Sequence, residues 1–372
     1  MTVRDAILAT LAGGGVLAFA GPPSAAAAQE AVSISTEPPA CSVALTEALQ
    51  LGRLDDPGTI GLRPEITRTG DAEFIVASVE NRGDLLVYDA EGRFLRTFGG
   101  AGQGPGEYRA PGRVRLGTDG SLLILDILNR RITRVSAGGE VLRTVDVRGL
   151  QALDFVPAET AEGFFLSGFG GGPDGLTAVT DVVGGEGAAV ARLGSEPVDR
   201  WVVNFFRAPL AVDDLGRVWA ARPGGYRFEA WETQGNGEPV LRLVGAPEWF
   251  DPGPPLPGAP ITAPAPSVVM SLRFAGGHMW IVTWVADANW RDNADTNPAE
   301  LQLNRVLDTV LEVIDPASGT LIARTRHAEA LRITGDEGLV FGVREDDVVP
   351  RAILYTASLE GPGCRSPDRP HM

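Results

Sequence analysis

The chain has 372 residues, 44% hydrophobic and 22% charged, and a formal net charge of −16 at pH 7, with every basic residue of its Lys-plus-Arg count an arginine. That acidity repels phosphate backbones and anionic lipid headgroups, which argues against nucleic acid as a partner and against direct membrane insertion of the mature chain. The composition supplies a large apolar core and lacks the bias of a disordered protein.

Arg4 is followed by an apolar stretch over 6–20 and a small-residue cluster over 24–28. A basic start, an apolar middle and an A-x-A-like end make residues 1–29 a signal peptide with cleavage near Ala28 or Gln29. Three glycines, Gly13, Gly14 and Gly15, break the apolar run, which falls short of the roughly 20 residues that span a bilayer. The expected product is exported, periplasmic or extracellular, with a folded region over 30–364 and a short tail over 365–372.

Beyond the leader, short Val, Leu, Ile and Phe-rich runs alternate with Gly, Asp, Asn and Pro clusters, the pattern of short antiparallel strands. One family of tight turns falls at 69–71, 118–120, 159–163, 213–216, 275–277 and 335–338. A second falls between them at 89–92, 137–139, 184–187, 235–237 and 315–319. Two alternating hairpin families describe four-stranded units of about 50 residues, the signature of propeller blades. The expected fold is therefore all-β: a six-bladed β-propeller of four-stranded antiparallel blades. The second family has one turn too few, so the last blade lacks a strand, and the N-terminal run 43–51 is available to close it.

Cys41 precedes that run and Cys364 follows the third strand of the last unit. Antiparallel pairing would bring both cysteines to the place of the missing turn. A disulfide there suits an exported protein and, closing a very long loop, is worth roughly 4 to 5 kcal/mol on the chain-entropy model.

The segment Phe98-Gly99-Gly100-Ala101-Gly102-Gln103-Gly104-Pro105-Gly106-Glu107-Tyr108, followed by 119–126 (Asp-Gly-Ser-Leu-Leu-Ile-Leu-Asp) and Asn129-Arg130-Arg131-Ile132, resembles the NHL-type six-bladed propellers. Members carry a Gly-rich link between blades, then D-G-x-[LI]-[YW]-V-x-D, then N-x-R-I. The likeness covers 70–147 and recurs faintly at 213–221; later units lack the Asn-x-Arg-Ile signature. It implies the fold and leaves function open. The glycines of 99–106 are expected to supply left-handed backbone in an interblade link rather than a phosphate cradle, and Asn129 and Arg130 to bond backbone between blades.

In a blade whose strands run a to d from the axis outward, the b-to-c loops and interblade links emerge on one face and the tight turns on the other. The long loops, 99–111, 168–175, 222–228, 247–266, 285–303 and 344–350, all fall on the first. Long loops on a rigid frame concentrate binding residues. Trp284, Asp287, Trp290, Arg291 and Asp292 are expected to face Arg222, Tyr226, Arg344, Asp346 and Asp347 there, a set suited to a small polar molecule, a glycan or a protein ligand. The competing reading is that Trp284 and Trp290 pack the insertion against its blade.

No cofactor and no catalytic residue is expected. His278, which starts a strand, His327, placed in an interblade link, and His371, in the tail, are the only histidines, too scattered for zinc. The alternative is a Ca²⁺-dependent hydrolase or lactonase with its metal in the central channel, which would need carboxylates to converge there. Glu65, Asp154 and Glu329 lie near such positions in three different units, and the run from Asp292 to Asn297 matches a cation loop only loosely.

Overall fold

The computed structural model describes residues 31–147, 149–158, 163–172, 175–183, 189–198, 209–233, 237–252, 266–287, 290, 306–334, 339–344 and 349–364. The chain divides into two units, Met1–Glu30 and Ala31–Met372, the first lying outside the described residues.

The second unit is a propeller of six sheets. Blade 1 comprises β3 (Glu65–Arg68), β4 (Phe74–Ala77), β5 (Asp84–Tyr88) and β6 (Phe94–Gly99); blade 2, β7 (Pro111–Leu116), β8 (Leu122–Asp126), β9 (Arg131–Val135) and β10 (Val141–Asp146). Blade 3 comprises β11 (Gln151–Pro157), β12 (Phe164–Gly172), β13 (Gly175–Val183) and β14 (Ala189–Val198). Blade 4 comprises β15 (Leu210–Val212), β16 (Val218–Ala221), β17 (Tyr226–Trp231) and β18 (Leu241–Gly245). Blade 5 comprises β19 (Val268–Ala275), β20 (His278–Ala286), β21 (Leu307–Ile314) and β22 (Leu321–His327). Blade 6 takes β23 (Arg332–Ile333), β24 (Leu339–Arg344) and β25 (Arg351–Glu360) from the end of the chain and β2 (Ser42–Leu51) from its beginning.

Sequence pattern follows position in the blade. The second strands β4, β8 (Leu-Leu-Ile-Leu-Asp) and β16 are buried along their whole length, and β20 and β24 all but their ends, because a blade is covered by a neighbour on each side. The outer strand β6 (Phe-Leu-Arg-Thr-Phe-Gly) alternates half-buried and exposed residues, as a solvent-edge strand should. The core accordingly falls into six apolar clusters, each shared by two adjacent blades. Trp219 and Phe228 of blade 4 with Met279 and Ile281 of blade 5 form one.

Closure follows the expected route. β2 pairs antiparallel with β25 from Ser42 opposite Glu360 to Leu51 opposite Ala352, with a bulge between Glu47 and Leu49. The Cys41–Cys364 disulfide sits at the end of this pairing, its Cα atoms 6.0 Å apart and the cysteines 323 residues apart in sequence.

A second N-terminal attachment has no counterpart in the sequence pattern. β1 (Val32–Ser33) adds in parallel to β18, giving blade 4 a fifth strand. From there the Ser35 amide donates to the Gly319 carbonyl at 2.9 Å and the Cys41 amide to that of Ile322 at 3.3 Å. Residues 31–41 thus strap the outer edges of blades 4 and 5 before β2 enters blade 6.

Three local expectations shift. The first turn closes one residue later than 69–71: the Ala72 amide donates to the Thr69 carbonyl at 3.0 Å, and Ala72 itself takes a left-handed φ of 63°. The stretch 168–175 is mostly strand, since β12 runs to Gly172 and pairs with β13 from Gly175. His327 ends β22 instead of lying in a link. The turns expected at 184–187 and 335–338, and nearly all of 159–163, lie outside the described residues. No helix among the described residues is long and apolar enough to cross a membrane.

Candidate functional site

The Gly-rich segment after β6 is an interblade link. Gly99, Gly100, Gly102 and Gly106 all take positive φ. Asp126, at the end of β8, accepts from the Arg109 and Ala110 amides and from Asn129 Nδ2, while Asn129 Nδ2 also donates to the Gly102 carbonyl at 2.9 Å. The partner expected in Arg130 is Arg131, whose guanidinium donates to the carbonyls of Gln103, Gly104 and Glu107. Arg130 contributes backbone: it adopts a φ of 52° and its carbonyl accepts from the Val147 amide. The Asp126, Asn129 and Arg131 contacts tie this link to blade 2.

The axis is a narrow channel lined from all six inner strand positions, with about 20 Å³ of free volume. Charged side chains fill it. Arg113 pairs with Glu65, and its Nε lies 3.5 Å from Asp154. Arg115 Nη2 contacts both Asp154 oxygens, at 2.9 and 3.1 Å, and its Nε donates to the Phe155 carbonyl at 3.2 Å. Asp154 accepts further from the amides of Phe155 and Leu210. At the long-loop end, Arg332 donates to the Pro64 carbonyl at 2.8 Å, lies 3.7 Å from Glu65 and stacks over the Trp284 ring at 5.0 Å. Burial lowers the Arg332 guanidinium to about 10, with repulsion from Arg113 and Arg63 working in the same direction against the pull of Glu65.

This chemistry does not fit a channel metal. Both channel carboxylates are engaged by guanidinium groups, which compete with a cation for the same oxygens. Glu329 is elsewhere, accepting from the Tyr355 hydroxyl at 3.1 Å. Among the described residues no three His, Cys, Asp or Glu side chains converge.

The residues expected on the long-loop face divide into two groups. Arg222, Tyr226 and Trp284 are buried framework. Arg222 pairs with Glu229 at 3.3 Å and lies over Trp231. Tyr226 heads β17, packs edge-on to Phe228 and Trp249, and donates its hydroxyl to Glu312 of blade 5. Burial pushes both the Tyr226 hydroxyl and the Glu312 carboxyl up in pKa, while Arg324, 2.6 Å from Glu312, pulls the other way. Trp284 lies within β20 and donates Nε1 to the Leu331 carbonyl at 2.6 Å, so packing is its role. Trp290 packs against the same cluster of blades 5 and 6, and its amide approaches the Asp287 carbonyl at 3.4 Å. Arg344 is 3.1 Å from the Tyr355 hydroxyl, 3.7 Å from Glu47 and 3.8 Å from Glu329. Arg291, Asp292, Asp346 and Asp347 lie outside the described residues.

A further cavity lies at the opposite, tight-turn end of the channel. It holds about 340 Å³ and is walled by the ends of β7, β11 and β19 and by β15. Sequence reasoning passed over this end because its turns are short.

With this geometry in hand, the DUF5128 family of 6-bladed beta-propellers matches residues 63–166, which is blades 1 and 2 and the start of blade 3. A member of the DUF4221 family from Bacteroides vulgatus ATCC 8482 superposes with a TM-score of 0.58 at 11% identity, covering 86% of this chain and 99% of its own. A Bacteroides fragilis NCTC 9343 protein inferred to be exported superposes at 0.57 with 9% identity, covering 89% and 99%. These likenesses are of fold. No curated protein matches the chain in sequence.

Proposed function

We propose that the protein is an exported, non-catalytic binding propeller that holds a small molecule, a glycan or a protein on the face carrying its long loops. The observation that supports this reading most directly is the channel. With Glu65 and Asp154 bonded to Arg113, Arg115 and Arg332, the axis is a structural plug, so recognition falls to the ends of the frame. Asp287, Trp290 and Arg344 stand at the described rim of the long-loop end; Arg291, Asp292, Asp346 and Asp347 complete the proposed set. Export rests on the leader pattern of residues 1–29, on the disulfide, and on the likeness to a Bacteroides fragilis protein inferred to be exported. The resemblance of 98–108 to the interblade link of NHL-type propellers is in keeping with a binding or scaffold role.

The test is a binding screen of glycans, peptides and small polar molecules against the mature protein, repeated with Trp290→Ala combined with Asp292→Ala. Loss of the captured ligand with an unchanged melting temperature supports the face; undiminished binding by the double variant removes it.

A further inference from the structure

We infer that the cavity at the tight-turn end of the channel is a binding site for a small organic anion with an apolar body, such as a medium-chain or aromatic carboxylate. The site is independent of the long-loop face: it lies at the other end of the axis and shares no residue with it.

At about 340 Å³ the cavity falls within the range of ordinary small-ligand sites. Its inner end is blind, because the adjoining channel has only about 20 Å³ and is filled by the Arg113, Glu65, Asp154 and Arg115 side chains. A ligand entering from the tight-turn face therefore stops there.

Leu116, Val156, Pro157, Val212 and Phe274 give the wall its apolar character, and the charged groups among the described lining residues are Arg115 and Arg273. No described lining residue is acidic, although the chain as a whole carries −16. Deeper in the channel, among the described residues, Arg113 and Arg115 lie against Asp154, and Arg113 and, at the far end, Arg332 lie against Glu65. An apolar-walled cavity that presents two guanidinium groups and no described carboxylate favours anions, since partial desolvation strengthens the attraction inside while the net charge of the chain repels them elsewhere.

Arg115 is fixed by the two Asp154 oxygens and the Phe155 carbonyl, and Asp154 by the Phe155 and Leu210 amides. The guanidinium is thus held in place before a ligand arrives, which removes part of the ordering cost of binding.

The experiment uses the full mature protein and two probes, 8-anilinonaphthalene-1-sulfonate followed by fluorescence, and decanoate as competitor with decanol as the neutral control. The expected result is saturable dye binding near one per chain, displaced by decanoate and not by decanol. Arg273→Gln should weaken dye and decanoate about tenfold or more, as loss of a charge-assisted contact does. Val212→Trp should abolish both by filling the cavity from a position that is 38% exposed and tolerant of bulk. Both variants are first shown to melt within a few degrees of wild type; should Arg273→Gln fail to fold, Val212→Trp carries the test alone. Absence of saturable binding, equal displacement by decanol, or dye affinity unchanged in Val212→Trp overturns the proposal.

Discussion

Arg115 and Asp154 join blades 2 and 3 through a two-point contact in which one guanidinium nitrogen lies 2.9 and 3.1 Å from the two carboxylate oxygens. The Asp154 side chain is 2% exposed and also receives Arg113 and two backbone amides. Removing the carboxylate strands two guanidinium groups and two N–H donors in a nearly dry channel. Asp154→Ala should therefore cost about 3–5 kcal/mol, read as a lower urea midpoint with an unchanged slope; a midpoint equal to wild type would refute the plug.

His327 supplies a pH dependence whose sign is fixed by burial. Desolvation lowers its folded-state pKa below the ordinary 6.5, with Glu329 opposing weakly. The folded protein therefore resists a proton that the unfolded chain accepts. Stability is fully present above about 6.5 and falls as pH drops from there toward the lower folded-state value. His327→Gln should flatten that stretch of the stability curve, leaving the carboxylate-driven loss at lower pH; an identical slope in the variant would assign the effect elsewhere.

Two glycines offer a matched pair. Gly83 has a φ of 92°, and a Cβ there would be driven into the Gly100 and Tyr108 carbonyl oxygens of the interblade link, whereas a Cβ on Gly70 meets nothing within 4 Å. Gly83→Ala should cost about 2 kcal/mol or more, and Gly70→Ala should be neutral or slightly stabilising. Thermal melts of the two variants decide it, equal shifts being the adverse outcome.

The disulfide predicts a redox-dependent stability. A separation of 323 residues is worth up to about 5–6 kcal/mol on the chain-entropy model, somewhat more than the sequence reading assigned to the bridge. Cys41→Ser with Cys364→Ser, or reduction of the native protein, should lower the guanidinium midpoint by several tenths molar while the β2 and β25 pairing persists. A midpoint insensitive to reductant would show that the strands alone close the ring.

Blade number, closure and the cysteine pair were legible because each depends on local signals repeated along the chain: turn residues at fixed offsets, and two cysteines flanking strands of the right length. The channel network was not, since Arg332 and Pro64 meet across 268 residues. One signal for it was available. In β7, Pro-Gly-Arg-Val-Arg-Leu, Arg113 and Arg115 share a face of an innermost strand, and that face points to the axis. The long-loop cluster was misjudged in part because Tyr226 and Trp284 were taken as loop residues. Each belongs to a strand, where its ring is covered by the neighbouring blade and its polar atom meets Glu312 or the Leu331 carbonyl. The strap went unseen because two residues, Val32 and Ser33, pairing in parallel with a distant strand, leave no periodic trace.

The strap bears on how the ring is assembled during synthesis. β2 emerges before the other strands of the six blades and its partner β25 after them, so β2 must wait, unpaired and adhesive, while the chain between them is produced. Such a strand could be captured by another copy's last blade, the usual origin of swapped dimers. Docking of Val32 and Ser33 on blade 4, followed by the contacts of Ser35 and Cys41 with blade 5, tethers β2 beside the place where blade 6 will form. Its local concentration for the correct partner then exceeds that of any other chain in solution.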